Sequence, residues 1–217
     1  VDDVNGYDFT TASADPNPSP NGVDEDRDGV VDGGVNHGTH VAGIIAAEGN
    51  NGVGVSGVMW DAQLMAVQVL DDEGAGFDSD IAEGIRYAAD NGADIINLSL
   101  GGYGSTTVLE DAITYAHEKG ALVIAAAGND GVNITTNPFY PACYTDVIGV
   151  GAVGASGAAS SFSNFGSNCV DVSAPGEFIV STFYEDPANA NFTAAYGLES
   201  GTSMATPVVT GVAGLLS

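Results

Sequence analysis

Residues 121–127 (ALVIAAA) carry no polar side chain and stand between Gly120 and Gly128. The run is too short to span a bilayer, which needs about 18–20 apolar residues. It is also too uniformly apolar to keep one face in water. Strands of a parallel sheet covered by helices on both sides have this character. The neighbouring segments agree. Residues 64–70 (LMAVQVL), 94–100 (DIINLSL), 147–153 and 178–183 read as further strands. Residues 37–47 (HGTHVAGIIAA) read as a helix of small apolar residues without a polar face, hence buried. Asp80 with Glu83, and Thr107 with Glu110, have capping-box spacing, and Asn91-Gly92 and Lys119-Gly120 supply the stops. Residues 202–216 form a last apolar helix. The order predicts an α/β fold, a doubly wound, mostly parallel sheet with helices on both faces.

Composition narrows the partners. The 217 residues contain 3 Lys and Arg against 29 Asp and Glu, a formal charge of −26. Phosphate backbones need clustered cations, and here there are only Arg27, Arg86 and Lys119, so nucleic acid and anionic membranes are excluded as partners. Hydrophobic residues make up 44%, enough for a full core, and a monomer is expected. Residues 1–36 hold eight of the twenty Asp and the run PNPSPNG. They are expected to be an acidic, irregular, calcium-dependent region, with residues 37–217 forming a single core domain. Cys143 and Cys169 stand outside any CxxC or Cys/His cluster. One disulfide and two buried thiols both fit.

Three segments carry chemistry. His37 opens the helix of Asn36-His37-Gly38-Thr39-His40. Asn129 follows Gly128 at the end of the apolar strand, at the edge where open α/β sheets bind ligands. Ser203 lies in Gly201-Thr202-Ser203-Met204-Ala205-Thr206-Pro207, at a helix N-terminus that favours developing negative charge. Pro207 is tolerated by lying close to the first turn. Each residue alone has an ordinary structural reading, as a cap, a core histidine or a turn. Together, a nucleophile, a base and an amide donor fit acyl transfer.

These segments resemble the subtilisin-like serine proteases, the subtilases, over residues 36–217. NHGTHVAG resembles the family's histidine motif, AAAGND its oxyanion-asparagine motif and GTSMATP its serine motif. INLSLGG (96–102), SFSNFG (161–166) and VDVSAPG (170–176) are also similar. Val208 departs from the His that many members carry after the proline. The resemblance implies that His37 is the general base, Ser203 the nucleophile and Asn129 the oxyanion donor, with His40 structural. It implies that Ser99, Leu100 and Gly101 form the edge that pairs with an extended substrate. It makes Ala126, Ala127 and Gly128 the wall of the primary specificity pocket. Expected partners are protein or peptide substrates and the protein's own pro-segment as inhibitor. His117 is expected to be solvated.

The family's triad aspartate, in a hydrophobic-Asp-Ser/Thr-Gly motif, has no counterpart here. Asp32, in VVDGG, lies only five residues before His37 and belongs to another pattern. The expectation is that the acid lies upstream of Val1, that the chain is truncated with its first core strand missing, and that it is nearly inactive alone. A catalytically dead, calcium-binding relative is the alternative. A lipase-like hydrolase fails, since Ser203 lacks a G-x-S-x-G elbow and follows the His.

Structural calcium is the expected cofactor. Asp24, Asp26, Asp28 and Asp32 lie at relative positions 1, 3, 5 and 9 of a loop with Gly29 at 6 and the Val30 carbonyl at 7. The loop resembles an EF-hand loop without its flanking helices or twelfth-position Glu. The resemblance adds Asn51, in a calcium-loop-like NNGVGV, and Asp171 with the carbonyls of Thr145 and Val147. Cys143 and Cys169 each lie two residues from that last site, which favours their pairing. Calcium and a disulfide suit a secreted protein.

Overall fold

The computed structural model describes residues 6–17, 34–71, 73–184 and 195–217. The central sheet has four parallel strands: β3 (Ile95–Leu98), β5 (Leu122–Ala126), β7 (Val147–Val153) and β8 (Val172–Pro175), in that order. The fully apolar run is β5, paired on both sides. Its side chains alternate between two cores. Val123 and Ala125 pack with Ile96 and Leu98 under the helices α2 (Asp78–Asp90) and α3 (Thr107–Glu118). Ile124 packs with Val150 and Ala205 under α4 (Thr202–Leu216), which lies beside α1 (Gly34–Ala46). Helices therefore cover both faces, as the expected fold class requires. Ile85, Ile113, Val123 and Ile124 are fully buried, each contributing about 2 kcal/mol of apolar transfer free energy.

Three two-stranded ladders surround this sheet. β1 (Tyr7–Asp8) pairs in parallel with β2 (Val67–Gln68), β4 (Gly102–Tyr103) pairs antiparallel with β6 (Phe139–Tyr140), and β9 (Ile179–Thr182) pairs antiparallel with β10 (Tyr196–Glu199). The strand expected over 64–70 is reduced to Val67 and Gln68. Its ladder partner is β1, and it does not join β3. Between β2 and β3 runs a groove of about 1500 Å³ that reaches His37 and Ser203. The region 1–36, expected to be irregular, contributes β1 and the start of α1.

Neither capping box forms. α2 begins at Asp78 after Phe77, so Asp80 lies inside the first turn. α3 is preceded by Thr106, which makes no side-chain cap. Instead its N–H donates to the Tyr144 hydroxyl at 2.9 Å, and that hydroxyl donates to the Thr106 carbonyl at 3.0 Å. A tertiary tie replaces the local one. The stops do hold. Gly92 and Gly120 take φ of +82° and +94° just past their helices, a conformation open to glycine. Among the described residues, no helix is long and apolar enough to cross a membrane.

Candidate active site

Ser203 is the second residue of α4, after an N-cap at Gly201. Pro207 lies in the second turn, beyond the position expected for it. It has no N–H to give the carbonyl four residues back, which belongs to Ser203. That carbonyl accepts the Ser99 hydroxyl at 2.8 Å instead. Ser99 is itself held by Asn97 Nδ2 at 3.0 Å, and Asn97 Oδ1 accepts the Thr210 hydroxyl at 2.8 Å. A buried polar chain thus joins the end of β3 to both ends of one helix segment. The Ser203 hydroxyl donates to the Ser99 carbonyl at 3.2 Å.

Asn129 follows Gly128, whose φ of +98° turns the chain out of β5. Its side-chain carbonyl accepts two hydrogen bonds from Thr202, from the backbone N–H at 2.8 Å and the hydroxyl at 2.9 Å. With Oδ1 engaged, the amide is fixed and its Nδ2 is left to donate elsewhere. The Thr202 hydroxyl also accepts the Gly128 N–H at 3.1 Å. Thr202 is fully buried. From the other side Asn164 accepts the N–H groups of Asp130 and Val132 at 3.0 and 3.1 Å and donates to the Ala127 carbonyl at 2.9 Å. Sequence reasoning missed Thr202 and Asn164 as site residues, although both lie inside the motifs GTSMATP and SFSNFG.

His37, Asn129 and Ser203 line the same groove. Burial pushes the His37 imidazole below the ordinary histidine value of 6.5, and nearby His40 pushes it the same way. It is therefore neutral at pH 7 and able to accept a proton. Among the described residues, no carboxylate bonds to it. His40 is fully buried, its Nε2 lying 3.0 Å from the Ile179 carbonyl. His117 is exposed, 3.9 Å from Asp146.

The expected substrate segments divide. Leu100, Gly101, Ala126 and Gly128 line the groove. Ser99 also borders it, but its side chain is spent on Ser203. Ala127 is fully buried with Ile134 and Cys169 in a separate core, so its side chain does not reach the groove. Strand alternation explains this, since Ala126, the last residue of β5, faces the other way, into the groove.

Among the described residues, no group of three or more His, Cys, Asp or Glu side chains is placed to hold a metal ion. Asp24, Asp26, Asp28, Val30 and Asp32 lie outside the described residues. Asn51 belongs to loop 48–56, which encloses about 230 Å³, but its Oδ1 already accepts the Val53 N–H at 2.9 Å. One Asp171 oxygen accepts the Gly149 N–H at 2.9 Å. Cys143 and Cys169, left open as a pair or two thiols, form a disulfide.

The fold and the site together define a class: a parallel-sheet α/β protein with serine, histidine and amide donor at one carboxyl-edge groove. The family model of the subtilases matches residues 5–217. The chain belongs to the subtilase family. It is 47% identical over 214 residues to a thermophilic serine proteinase of Bacillus sp. (strain AK1), covering 99% of this chain and 47% of that protein. It is 48% identical over 192 residues to thermitase of Thermoactinomyces vulgaris, covering 88% of this chain and 64% of that protein. The chain thus spans about half to two thirds of these relatives. Among solved structures, a cold-adapted subtilisin-like serine proteinase superposes with a TM-score of 0.77 at 36% identity, over 99% of this chain and 67% of that one.

Proposed function

We propose that this chain carries the nucleophile, base and oxyanion donor of a serine endopeptidase. Ser203 Oγ attacks the carbonyl of a peptide bond while His37 takes its proton. The Asn129 amide and the Ser203 backbone N–H stabilise the oxyanion. His37 then passes the proton to the leaving amine, and water repeats the sequence on the acyl-enzyme. The observation that carries this reading is the Asn129 amide, locked by Thr202 on the very helix turn that bears Ser203. An extended peptide would lie along residues 99–101 and 126–128, bound mainly through its backbone. The carboxylate that steadies the His37 tautomer is assigned to a position outside the described residues. Loss of that carboxylate's function from a complete triad costs about 10⁴-fold in turnover.

Structural calcium is assigned to the acidic loop of Asp24, Asp26, Asp28, Asp32 and the Val30 carbonyl, where with Glu25 five carboxylates in nine residues repel without a cation. The disulfide supports an extracellular location, since such bonds persist in oxidising compartments. The test is release from a chromogenic peptide ester. Loss of release in both Ser203→Ala and His37→Ala supports the reading, and release that survives both refutes it. The second reading, a catalytically dead calcium-binding relative, draws on the absence, among the described residues, of a carboxylate bonded to His37. Ester release that never depends on Ser203, together with calcium binding, would favour it.

A further inference from the structure

The recess between residues 99–101 and residues 126–128 is filled by the protein itself. Gly128 directly precedes Asn129, and the Ser99 carbonyl accepts the Ser203 hydroxyl. A side chain on the acyl side of a bond attacked by Ser203 therefore has this recess as its nearest shelter. The ring of Phe139 reaches both walls. A methyl group placed on Gly101 would come within 2.4 Å of Phe139 Cε1, and one placed on Gly128 within 3.1 Å of Phe139 Cζ. Real carbon contacts are longer, so the ring lies flush against backbone on both sides, with no room for a second ring between them.

The plug is held in place. Phe139 lies opposite Tyr103 in the β4–β6 ladder, and the two rings meet edge to face at 5.1 Å and 84°. The Tyr103 hydroxyl donates to Asp130 at 2.7 Å, one residue past Asn129. Phe139 also packs on the core of Ala127, Ile134 and Cys169. Swinging the ring out would break this aromatic pair and expose apolar surface.

The geometry points to Phe139 as a specificity-determining residue that closes this recess, so that the site accepts small side chains such as alanine, glycine or serine next to the scissile carbonyl and rejects aromatic ones. This inference rests on the acyl-transfer reading of Ser203. The test uses matched tetrapeptide p-nitrophenyl esters ending in alanine or phenylalanine. In each, the Ser203 Oγ–carbonyl bond forms, the ester C–O bond breaks, p-nitrophenolate leaves and His37 takes the serine proton. The leaving group needs no protonation, so even a weakly assisted serine gives measurable release.

The wild-type chain should show kcat/KM at least about tenfold higher for the alanine ester, the scale on which an apolar pocket discriminates by size. Phe139→Ala should shrink or invert that ratio, and Phe139→Leu, which keeps more of the core contact, should shift it partway. A wild-type chain that takes the phenylalanine ester as well or better overturns the inference without any variant. So does an unchanged ratio in a folded Phe139→Ala. Release that persists in Ser203→Ala, or its absence with both esters, overturns the acyl-transfer reading and this inference with it.

Discussion

At the scale of single residues, the site is a serine and an asparagine fixed by hydrogen bonds that neither supplies alone. The amide of Asn129 is aimed because Thr202 occupies its carbonyl twice. Replacing Asn129 by leucine should lower kcat about 10²–10³-fold with little change in KM, because the amide is used only when the oxyanion forms. Thr202→Val leaves the amide but holds it by the backbone N–H alone. It should cost less, about tenfold in kcat, because the Thr202 N–H still holds the Asn129 carbonyl while the hydroxyl's bonds to Asn129 and Gly128 are lost. Steady-state kinetics of the two variants on one ester would check both. His37 adds a pH prediction. Its pKa lies below 6.5 through burial and the nearby His40, and only the neutral imidazole accepts the proton. Ester hydrolysis should therefore rise with pH and reach half its plateau below pH 6.5. A carboxylate brought to His37 would move that midpoint upward. That His37, Asn129 and Ser203 share one groove was legible because each sits as a polar side chain in a run of small residues. Thr202, Asn164 and Phe139 were not, because the partners that give them a role are distant in the chain: Asn129 for Thr202, Ala127 and Asp130 for Asn164, Gly101 and Tyr103 for Phe139.

At the scale of elements, segments whose apolar pattern agrees with their packing were legible. β7 and α4 end where the sequence places them, and β5 differs by one residue at each end. The strand expected over 64–70 shrinks to two residues because a strand is defined by pairing, and only β1 pairs with it. Local capping signals failed for a related reason: Tyr144, distant in sequence, serves the start of α3. Pro207 shows the same logic, since a proline in the second turn is tolerated once Ser99 serves the freed carbonyl. The disulfide joins the loop after β6 to the approach to β8, across 26 residues. Closing a loop of that length restricts the unfolded chain by about 3–4 kcal/mol. The Cys143→Ser, Cys169→Ser double variant should unfold at a correspondingly lower denaturant midpoint. An unchanged midpoint would mean that the closed loop adds nothing.

At the scale of the whole molecule, charge and topology set the terms. A formal charge of −26, from 29 acids offset by three Lys and Arg, makes the folded chain repel itself. Screening should relieve this, so the thermal midpoint should rise from low salt to molar NaCl. A salt-independent midpoint would argue that the acids are too dispersed to matter. The doubly wound class was legible in the alternation of elements. The separation of β2 from β3 by the groove was not, because strand order depends on contacts that no local pattern encodes. The central claim is that Ser203, in that groove, is the nucleophile. Fluorophosphonate labelling followed by peptide mapping tests it most directly. The account predicts covalent modification at Ser203, slowed in His37→Ala and absent in Ser203→Ala. A chain that stays unmodified after prolonged exposure, or is modified only at another residue, would contradict it.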